Sequence, residues 1–247
     1  MTRDLPPPPP ALLHGASLFL DFDGTLVDIA ERPDAVSVDA RLRMLMMRLA
    51  TGLEGRLAII SGRALDEIDR LTGIDTLAAA GSHGLEMRTP HGVRSAPARP
   101  PGLDGIVAEM RALGERHPGV LVEEKPFGAA LHYRRAPEAA EACRVLALRL
   151  AEDEGVSLQA GKMVFEIRAS GADKGEALAA FMAAPPMAGT RPMFMGDDVT
   201  DEAGFAAAAR LGGAGILVGQ ARETAACYRL DDVPAVLGWL QAAAAAL

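Results

Sequence analysis

Two aspartates, Asp21 and Asp23, lie two residues apart where an apolar run, residues 18–20, meets a glycine turn. On a strand such residues project to the same side, but the second carboxylate can swing away from the first as the chain enters the turn. One carboxylate could then attack a substrate while the other moves protons. Two like charges this close raise the pKa of one of them unless a cation separates them, so the spacing predicts a bound metal or a shared proton.

The chemistry favoured by this pair is that of a phosphate ester. Mg²⁺ is the natural candidate for the metal, because it prefers oxygen ligands and bridges carboxylates to substrate phosphates. The alternative is a solvated acidic turn at the end of a buried strand, since short motifs carry false positives. The full pattern, Asp-x-Asp-Gly-Thr between apolar residues, favours the functional interpretation, and it adds Thr25 to the predicted substrate-binding residues.

Two more polar residues follow a predicted strand or begin a predicted helix, where open α/β sheets place their ligands. Ser61 follows the apolar run 57–60, and its hydroxyl could hold a phosphate oxygen. A helix N-cap explains this serine equally well. Lys174 lies near a predicted helix start, where backbone N–H groups also favour an anion. An exposed surface lysine is the alternative.

A second acidic segment, residues 196–201, follows the apolar run 193–195 and contains Asp197, Asp198 and Asp201. Mutual repulsion makes three acids in five residues costly unless they hold a cation. An acidic loop that caps a helix would explain one or two of them. It does not explain why the same chain also carries the first acidic motif.

The composition is that of a folded enzyme with an acidic surface. The 247 residues carry a net charge of −8, from 33 acidic and 25 basic residues, and no long basic cluster interrupts it. This balance argues against nucleic acid as a partner. An acidic protein that handles an anionic substrate must concentrate cations locally, so a metal and a few placed Lys or Arg are required. No segment has the roughly 18 apolar residues of a membrane span, so we expect a cytoplasmic protein without membrane contact. We also expect a monomer.

Short apolar runs alternate with amphipathic stretches from Ala16 onward, which predicts βαβ units and a parallel sheet. The pattern changes in the middle of the chain, where helix, hairpin, helix and hairpin follow one another in an αββαββ order that builds antiparallel sheet. We therefore predict an α/β fold with three parts: a flexible proline-rich tail (1–15), a Rossmann-like core (16–94 and 169–247) and an inserted α/β domain (95–168).

In this order, the four polar segments resemble the four motifs of the haloacid dehalogenase-type phosphohydrolases. The resemblance implies that Asp21 is a nucleophile that forms an aspartyl-phosphate and that Asp23 is the general acid and base. It also implies that Ser61 and Lys174 bind the transferring phosphoryl group. Mg²⁺ would lie on the Asp21 carboxylate, the Asp23 carbonyl and Asp197, and the remaining two acids of the second segment would support it, namely Asp198 and Asp201.

Within that superfamily the chain is similar to the bacterial trehalose-6-phosphate phosphatases. The similarity extends to residues 81–86 (GSHGLE) and to two hairpins of the inserted domain. It implies that Glu123, Lys125 and Glu166 hold the glucose unit that carries no phosphate, and that the inserted domain is a cap that selects the substrate. Salt bridges across the cap sheet are the alternative interpretation of these three side chains.

The resemblance therefore predicts Mg²⁺-dependent hydrolysis of trehalose 6-phosphate to trehalose and phosphate, a step of trehalose biosynthesis. One alternative is a phosphatase of another phosphorylated sugar. Another is a catalytically silent sensor of sugar phosphates, which would be expected to lose Asp21 or Asp23. Both aspartates are present in this chain.

Overall fold

The computed structural model describes residues 4–30 and 36–247. The chain divides into two compact units. The core unit comprises Met1–Ala96 and Ala172–Leu247, and the inserted unit comprises Pro97–Gly171. The role of the inserted unit in substrate choice stays a prediction.

The core unit is built on an eight-stranded sheet in the order β12-β11-β10-β1-β2-β3-β4-β5. The six strands from β12 to β3 are parallel, and β4 and β5 are antiparallel additions at one edge. The strands are β1 (Ala16–Leu20), β2 (Leu57–Ile60), β3 (Ala78–Gly81), β4 (Glu86–Arg88), β5 (Arg94–Ser95), β10 (Arg191–Gly196), β11 (Ala214–Val218) and β12 (Tyr228–Leu230). The helices are α1 (Ala40–Gly52), α2 (Leu65–Thr72), α5 (Lys174–Met182), α6 (Glu202–Arg210) and α7 (Val233–Ala246).

Both faces of this sheet are covered by helices, which explains why its central strands are apolar throughout. Every residue of β1, β2 and β11 is buried. Alternate side chains of β1 enter different clusters: Leu18 and Leu20 pack with α1, α2 and α7, whereas Phe19 packs with α5 and α6. The sheet thus holds its carboxyl-end loops on a rigid scaffold.

The described part of the N-terminal segment packs against the core unit. The Trp239 indole N–H donates to the Pro8 carbonyl at 2.7 Å, and the Arg229 N–H donates to the Pro6 carbonyl at 3.0 Å. Leu13, in a short 3-10 turn, is fully buried in the cluster beneath α7. These contacts give the segment fixed partners, which its proline content alone does not indicate.

The inserted unit has the predicted αββαββ order. Its four-stranded antiparallel sheet runs β6-β7-β9-β8, with two helices packed on one face. The elements are α3 (Leu103–Arg116), β6 (Leu121–Lys125), β7 (Gly128–His132), α4 (Ala140–Leu150), β8 (Val156–Gly161) and β9 (Val164–Ala169). The combination of a parallel sheet and a separate antiparallel sheet is the fold class that the sequence predicts.

Proline-rich residues 89–102 contain more order than their composition predicts. Arg94–Ser95 forms β5, which pairs with β4 and extends the core sheet. Arg94 is held there by ion pairs to Asp66 and Asp69 of α2, so charge pairing rather than apolar periodicity places this strand. Among the described residues, none of the helices combines the length and the apolar character needed to cross a membrane.

Candidate active site

Three carboxylates from the two acidic segments meet at the carboxyl end of the core sheet. Asp21 follows β1 and Asp197 follows β10, and these two strands pair in parallel register with Leu20 opposite Met195. The Asp21 N–H donates to the Met195 carbonyl, which fixes the start of the first loop against the second strand. One carboxylate oxygen from each of Asp21, Asp197 and Asp201 lies within 4.8 Å of the others.

Lys174 pairs with two of these three aspartates. It is the first residue of α5, and its Nζ donates at 2.6 Å both to Asp21 Oδ1 and to Asp201 Oδ1. The side chain is 3% exposed, so the surface interpretation of this lysine is wrong. Asp173 caps the helix by accepting from the Glu176 N–H, which fixes where α5 begins and therefore where Lys174 points.

Among the residues that the structure describes, one lysine contacts a cluster of three carboxylates, and the pKa values reflect this excess of negative charge. Burial raises the pKa of Asp21 well above its usual value; Lys174 opposes this shift, and the charges of Asp201 and Asp197 reinforce it. Burial and the charge of Asp201 raise the pKa of Asp197 to about 7. Burial alone would lower the pKa of Lys174, but the two carboxylates it contacts raise it, so the ammonium stays charged.

Two glycines leave the space that the acids occupy. Gly24 has φ +81°, and a Cβ built on it would stand 2.2 Å from Asp197 Oδ2. A Cβ on Gly196 would stand 2.2 Å from Asp201 Cγ. Any side chain at either position would therefore displace a carboxylate of the cluster. This explains why each acidic motif carries a glycine at that point.

Some polar atoms at this site have no protein partner among the described residues. They include the buried Asp197 Oδ1 and the buried Thr25 Oγ1. Three carboxylates beside one ammonium leave a formal excess of two negative charges, and all the side-chain donors are oxygens. Such a hard, anionic donor set suits a divalent cation that prefers oxygen ligands.

Asp198 lies outside the group of three. It is exposed and caps the 3-10 turn Val199–Asp201, in which the Asp198 N–H donates to Asp201 Oδ2 at 2.8 Å. Its backbone carbonyl accepts from Arg222 at 2.8 Å. Asp198 thus shapes the loop that holds Asp201, and its predicted support of the metal through a side chain stays a prediction.

Ser61 lies at the end of β2 and is 1% exposed. Its Oγ accepts from the Arg63 N–H at 3.2 Å. The N-cap of the following helix is Ala64, so the alternative interpretation of Ser61 as the cap of α2 is wrong. The hydroxyl retains its own proton and a second lone pair for another contact.

Asp23, the predicted general acid, is bound by an arginine that the sequence analysis did not single out. Arg63 Nε donates to Asp23 Oδ2 at 2.6 Å, and Arg63 Nη2 donates to Asp23 Oδ1 at 2.7 Å. Arg63 Nη1 also pairs with Glu67, one helical turn further on. The sequence gives only a weak indication that Arg63 belongs to the site, namely its position just after β2 and its spacing of four residues from Glu67.

In the inserted unit, the predicted sugar-binding side chains share one face of the sheet. Glu123 and Glu166 are both paired with Ala130 of the middle strand, and Lys125 lies two residues beyond Glu123. Residues paired across strands and residues two apart project to the same side. The opposite face, with Leu131 among others, packs on α3 and α4.

Small residues in the middle strand let the flanking side chains meet above it. Lys125 Nζ lies 2.7 Å from Glu166 Oε2, although β7 separates their strands. His132 Nε2 lies 2.7 Å from Glu123 Oε2 on the same face, and the sequence analysis did not single out this histidine. The Lys125–Glu166 contact is the salt bridge across the sheet that was given as the alternative, and sugar binding by these side chains stays a prediction.

Comparisons with known proteins agree with this arrangement. The family model described as trehalose-phosphatase matches residues 19–234. The chain is 40% identical over 240 residues to trehalose-6-phosphate phosphatase of Escherichia coli K12, covering 96% of this chain and 90% of that protein. It is 44% identical over 210 residues to the probable trehalose-phosphate phosphatase of Sinorhizobium fredii, covering 84% of this chain and 79% of that protein.

Structural comparison supports the fold. The C-terminal domain of C. albicans trehalose-6-phosphate phosphatase superposes with a TM-score of 0.84 over 98% of both chains, at 23% identity. This likeness confirms the predicted fold class, an α/β core with a parallel sheet and an inserted α/β domain with an antiparallel sheet. The family match and the two curated relatives confirm the resemblance found in the sequence. The chain belongs to the trehalose-phosphatase family.

Proposed function

We propose that this chain hydrolyses trehalose 6-phosphate to trehalose and phosphate, as its family membership and the printed names of its relatives imply. The observation that carries the proposal is the buried contact of Lys174 with Asp21 and Asp201, beside the unpartnered Asp197 Oδ1. In this proposal Asp21 is the nucleophile, and its contact with the ammonium of Lys174 supports that role. A dianionic phosphoryl group needs that cationic environment to approach a carboxylate.

Asp21, Asp197 and Asp201 would hold a divalent metal, and Mg²⁺ fits their all-oxygen donor set best. When bound, Mg²⁺ would neutralise the excess negative charge and polarise a phosphoryl oxygen. Asp197 Oδ1 has no donor within residues 4–30 and 36–247, which supports this assignment because a buried carboxylate oxygen without a donor is costly.

Asp21 then attacks phosphorus, and the bond to the sugar oxygen breaks while that oxygen takes a proton from Asp23. The product of this step is an aspartyl-phosphate, from which trehalose has departed. Water attacks the same phosphorus in the second step, gives its proton to Asp23 and releases phosphate and the Asp21 carboxylate. Two displacements at one fixed geometry replace a single difficult one. Ser61 and Lys174 orient the phosphoryl oxygens in both steps.

Glu123, Lys125 and Glu166 bind the glucose unit without phosphate in this proposal. Their shared face in the inserted unit supports it, because paired carboxylates and an ammonium can accept from and donate to neighbouring hydroxyls. The Lys125–Glu166 ion pair would open or shift to admit the sugar. Thr25 is buried, and in the described part of the chain its hydroxyl has no partner, so it stays a predicted contact of the substrate.

The test is phosphate release from a panel of sugar phosphates with Mg²⁺, namely trehalose 6-phosphate, sucrose 6-phosphate, glucose 6-phosphate and an aryl phosphate. We expect kcat/KM for trehalose 6-phosphate to exceed that for the other sugars, and Asp21→Asn to abolish turnover of all four. Preference for another disaccharide phosphate would reassign the substrate. Binding of trehalose 6-phosphate without turnover would favour a sensor. The cytoplasm stays the predicted compartment of this reaction.

A further inference from the structure

Arg63 is held from several sides. Its backbone N–H donates to Ser61 Oγ at 3.2 Å, and its carbonyl accepts from the Ser82 N–H at 2.8 Å. Its guanidinium pairs with Glu67 and lies 5.8 Å above the centre of the Phe22 ring. The side chain is 9% exposed.

The loop that fixes the Arg63 carbonyl is itself unusual. Ser82 and His83 have φ values of +50° and +59°, in the left-handed region that L residues rarely adopt. Ser82 Oγ donates to Glu86, and the same carboxylate oxygen accepts from the Leu65 N–H at the start of α2. Left-handed backbone at consecutive non-glycine residues costs free energy and persists where the surroundings impose it. Here the strained loop fastens the segment that carries Arg63.

The contacts that fix Arg63 also fix the carboxylate of Asp23, which Arg63 binds. Arg63 donates one hydrogen bond to each oxygen of Asp23, at 2.6 and 2.7 Å. A bidentate pair fixes orientation as well as distance, which a lysine ammonium cannot do. Each carboxylate oxygen keeps a further lone pair, so Asp23 can still exchange a proton. Asp23 is 33% exposed and is thus the accessible end of this network.

We infer that Arg63 is a positioning residue for the proposed reaction: it holds Asp23 in the orientation from which that carboxyl exchanges protons with the leaving oxygen and with water. The inference rests on the proposed function, because it takes from it the proton-transfer role of Asp23. Arg63 is assigned to Asp23 and not to the phosphoryl group, because each of its three guanidinium nitrogens donates to Asp23 or Glu67.

The test is a double-mutant cycle between Arg63→Met and Asp23→Asn, followed as steady-state turnover of an aryl phosphate. A residue that acts through Asp23 should lose its effect once Asp23 cannot carry the proton. We expect Arg63→Met alone to lower kcat by about 10- to 100-fold, with KM within about threefold of wild type, since acid–base catalysis contributes at least about 100-fold. In the Asp23→Asn background the same change should alter kcat by less than about twofold.

Arg63→Lys separates geometry from charge. We expect it to behave like Arg63→Met, because a lysine keeps the charge without the bidentate fork. Arg70→Met is the matched control: Arg70 lies on α2, is 65% exposed and also faces Glu67, and its loss should leave kcat unchanged. Glu67→Gln removes the ion pair between Glu67 and Arg63 but leaves the arginine, and we expect it to lower kcat as well. This variant replaces Arg63→Met in the test if Arg63→Met does not fold.

Three results would overturn the inference: full activity in Arg63→Lys, a rise in KM with kcat unchanged, or an undiminished effect of Arg63→Met in the Asp23→Asn background. The first would assign a charge role, the second a phosphate-binding role and the third a role independent of Asp23. If the wild-type protein turned over the aryl phosphate but not trehalose 6-phosphate, the proposed substrate would fail while this cycle would still decide the role of Arg63.

Discussion

Gly24 and Asp197 approach each other so closely that no methyl group fits between them: a Cβ on Gly24 would stand 2.2 Å from Asp197 Oδ2. Gly24→Ala must therefore displace the Asp197 carboxylate from its position in the cluster. We expect kcat/KM to fall by about 100-fold or more, because a displacement of about 1 Å at a catalytic group has effects of this size. The affinity for Mg²⁺, measured by calorimetry, should fall as well.

Gly92→Ala is the matched control for this change. Gly92 has φ +79°, close to the +81° of Gly24, but a Cβ on it meets nothing within 4 Å. The two variants share the backbone strain and differ in the contact with Asp197. Similar activity losses in both would show that strain, and not the carboxylate, explains the result.

The raised pKa of Asp197 predicts how stability depends on pH without metal. In the folded protein this pKa is about 7, against a usual value of 3.8, so between these values the folded state holds a proton that the unfolded chain has released. The contribution of Asp197 to stability is therefore full below about pH 4 and is lost as the pH rises through about 7. Relative to wild type, metal-free Asp197→Asn should gain melting temperature between pH 5 and pH 8.

The stabilisation by Mg²⁺ should increase as the pH rises, because the ion competes with the proton on Asp197. Mg²⁺ is expected to raise the melting temperature of the wild-type protein more at pH 8 than at pH 5, and to have little effect on Asp197→Asn. Thermal melts with and without Mg²⁺ at both pH values measure this directly. An equal Mg²⁺ effect at both pH values would contradict the assignment of Asp197 as a ligand.

Removal of the Lys174 ammonium should leave the buried carboxylates of Asp21 and Asp201 without their cationic partner. Lys174→Met leaves Asp21 and Asp201 without a cation at 6% and 0% exposure. We expect loss of activity and, at pH 8 without metal, a loss of about 3–5 kcal/mol in the free energy of unfolding, as when one partner of a buried ion pair is removed. The loss should be smaller at pH 5, where Asp21 can take up a proton because its pKa is raised.

Lys162→Met is the control for the lysine change, since Lys162 is exposed in the turn between β8 and β9. Its unfolding free energy should match that of wild type within about 0.5 kcal/mol. A loss at Lys174 that does not depend on pH would argue against uncompensated carboxylates as its cause.

The face of the inserted unit that carries Glu166 should matter for the sugar and not for the chemistry. Glu166→Ala removes the carboxylate that pairs with Lys125 and is expected to lower kcat/KM for trehalose 6-phosphate by at least about tenfold, the loss of roughly one hydrogen bond to a charged group. Turnover of an aryl phosphate should change little. Glu141→Ala, which removes an exposed glutamate paired with Arg144 on α4, is the control and should affect neither substrate.

An equal loss on both substrates in Glu166→Ala would assign that residue to the stability of the sheet. The free energy of unfolding, measured for both variants, distinguishes the two outcomes. The side chains of Lys125 and Glu166 are only 16% and 11% exposed, and a salt bridge this buried can stabilise the sheet. The unfolding measurement is therefore a necessary control.

The core fold and the acidic cluster could be predicted from the sequence because both follow from local patterns. Fully apolar runs mark buried parallel strands, and the polar residues directly after β1 and β10 must meet because neighbouring parallel strands end at the same edge. The position of Lys174 follows from the same rule at the start of α5. The glycines at 24 and 196 are part of these motifs for a spatial reason that only the structure reveals.

Other features depend on contacts between distant residues and have no local pattern. The pairing of Arg63 with Asp23 joins residues 40 apart, and neither residue type specifies its partner. The short strand β5 lies in a proline-rich segment and is placed by ion pairs to α2. Prolines are the main pattern in the sequence of the N-terminal segment, and they do not indicate a partner. The segment is anchored by a hydrogen bond from Trp239, which lies 231 residues from Pro8.

The central claim, that Asp21 receives the phosphoryl group of trehalose 6-phosphate, is tested most directly by chemical trapping. The protein is mixed with trehalose 6-phosphate and Mg²⁺, quenched during turnover and treated with borohydride, which reduces an acyl phosphate to an alcohol. Peptide mapping by mass spectrometry should then find the reduced side chain at position 21, and no such product in Asp21→Asn. Phosphate release with no modification at position 21, or with the modification on another carboxylate, would contradict the account.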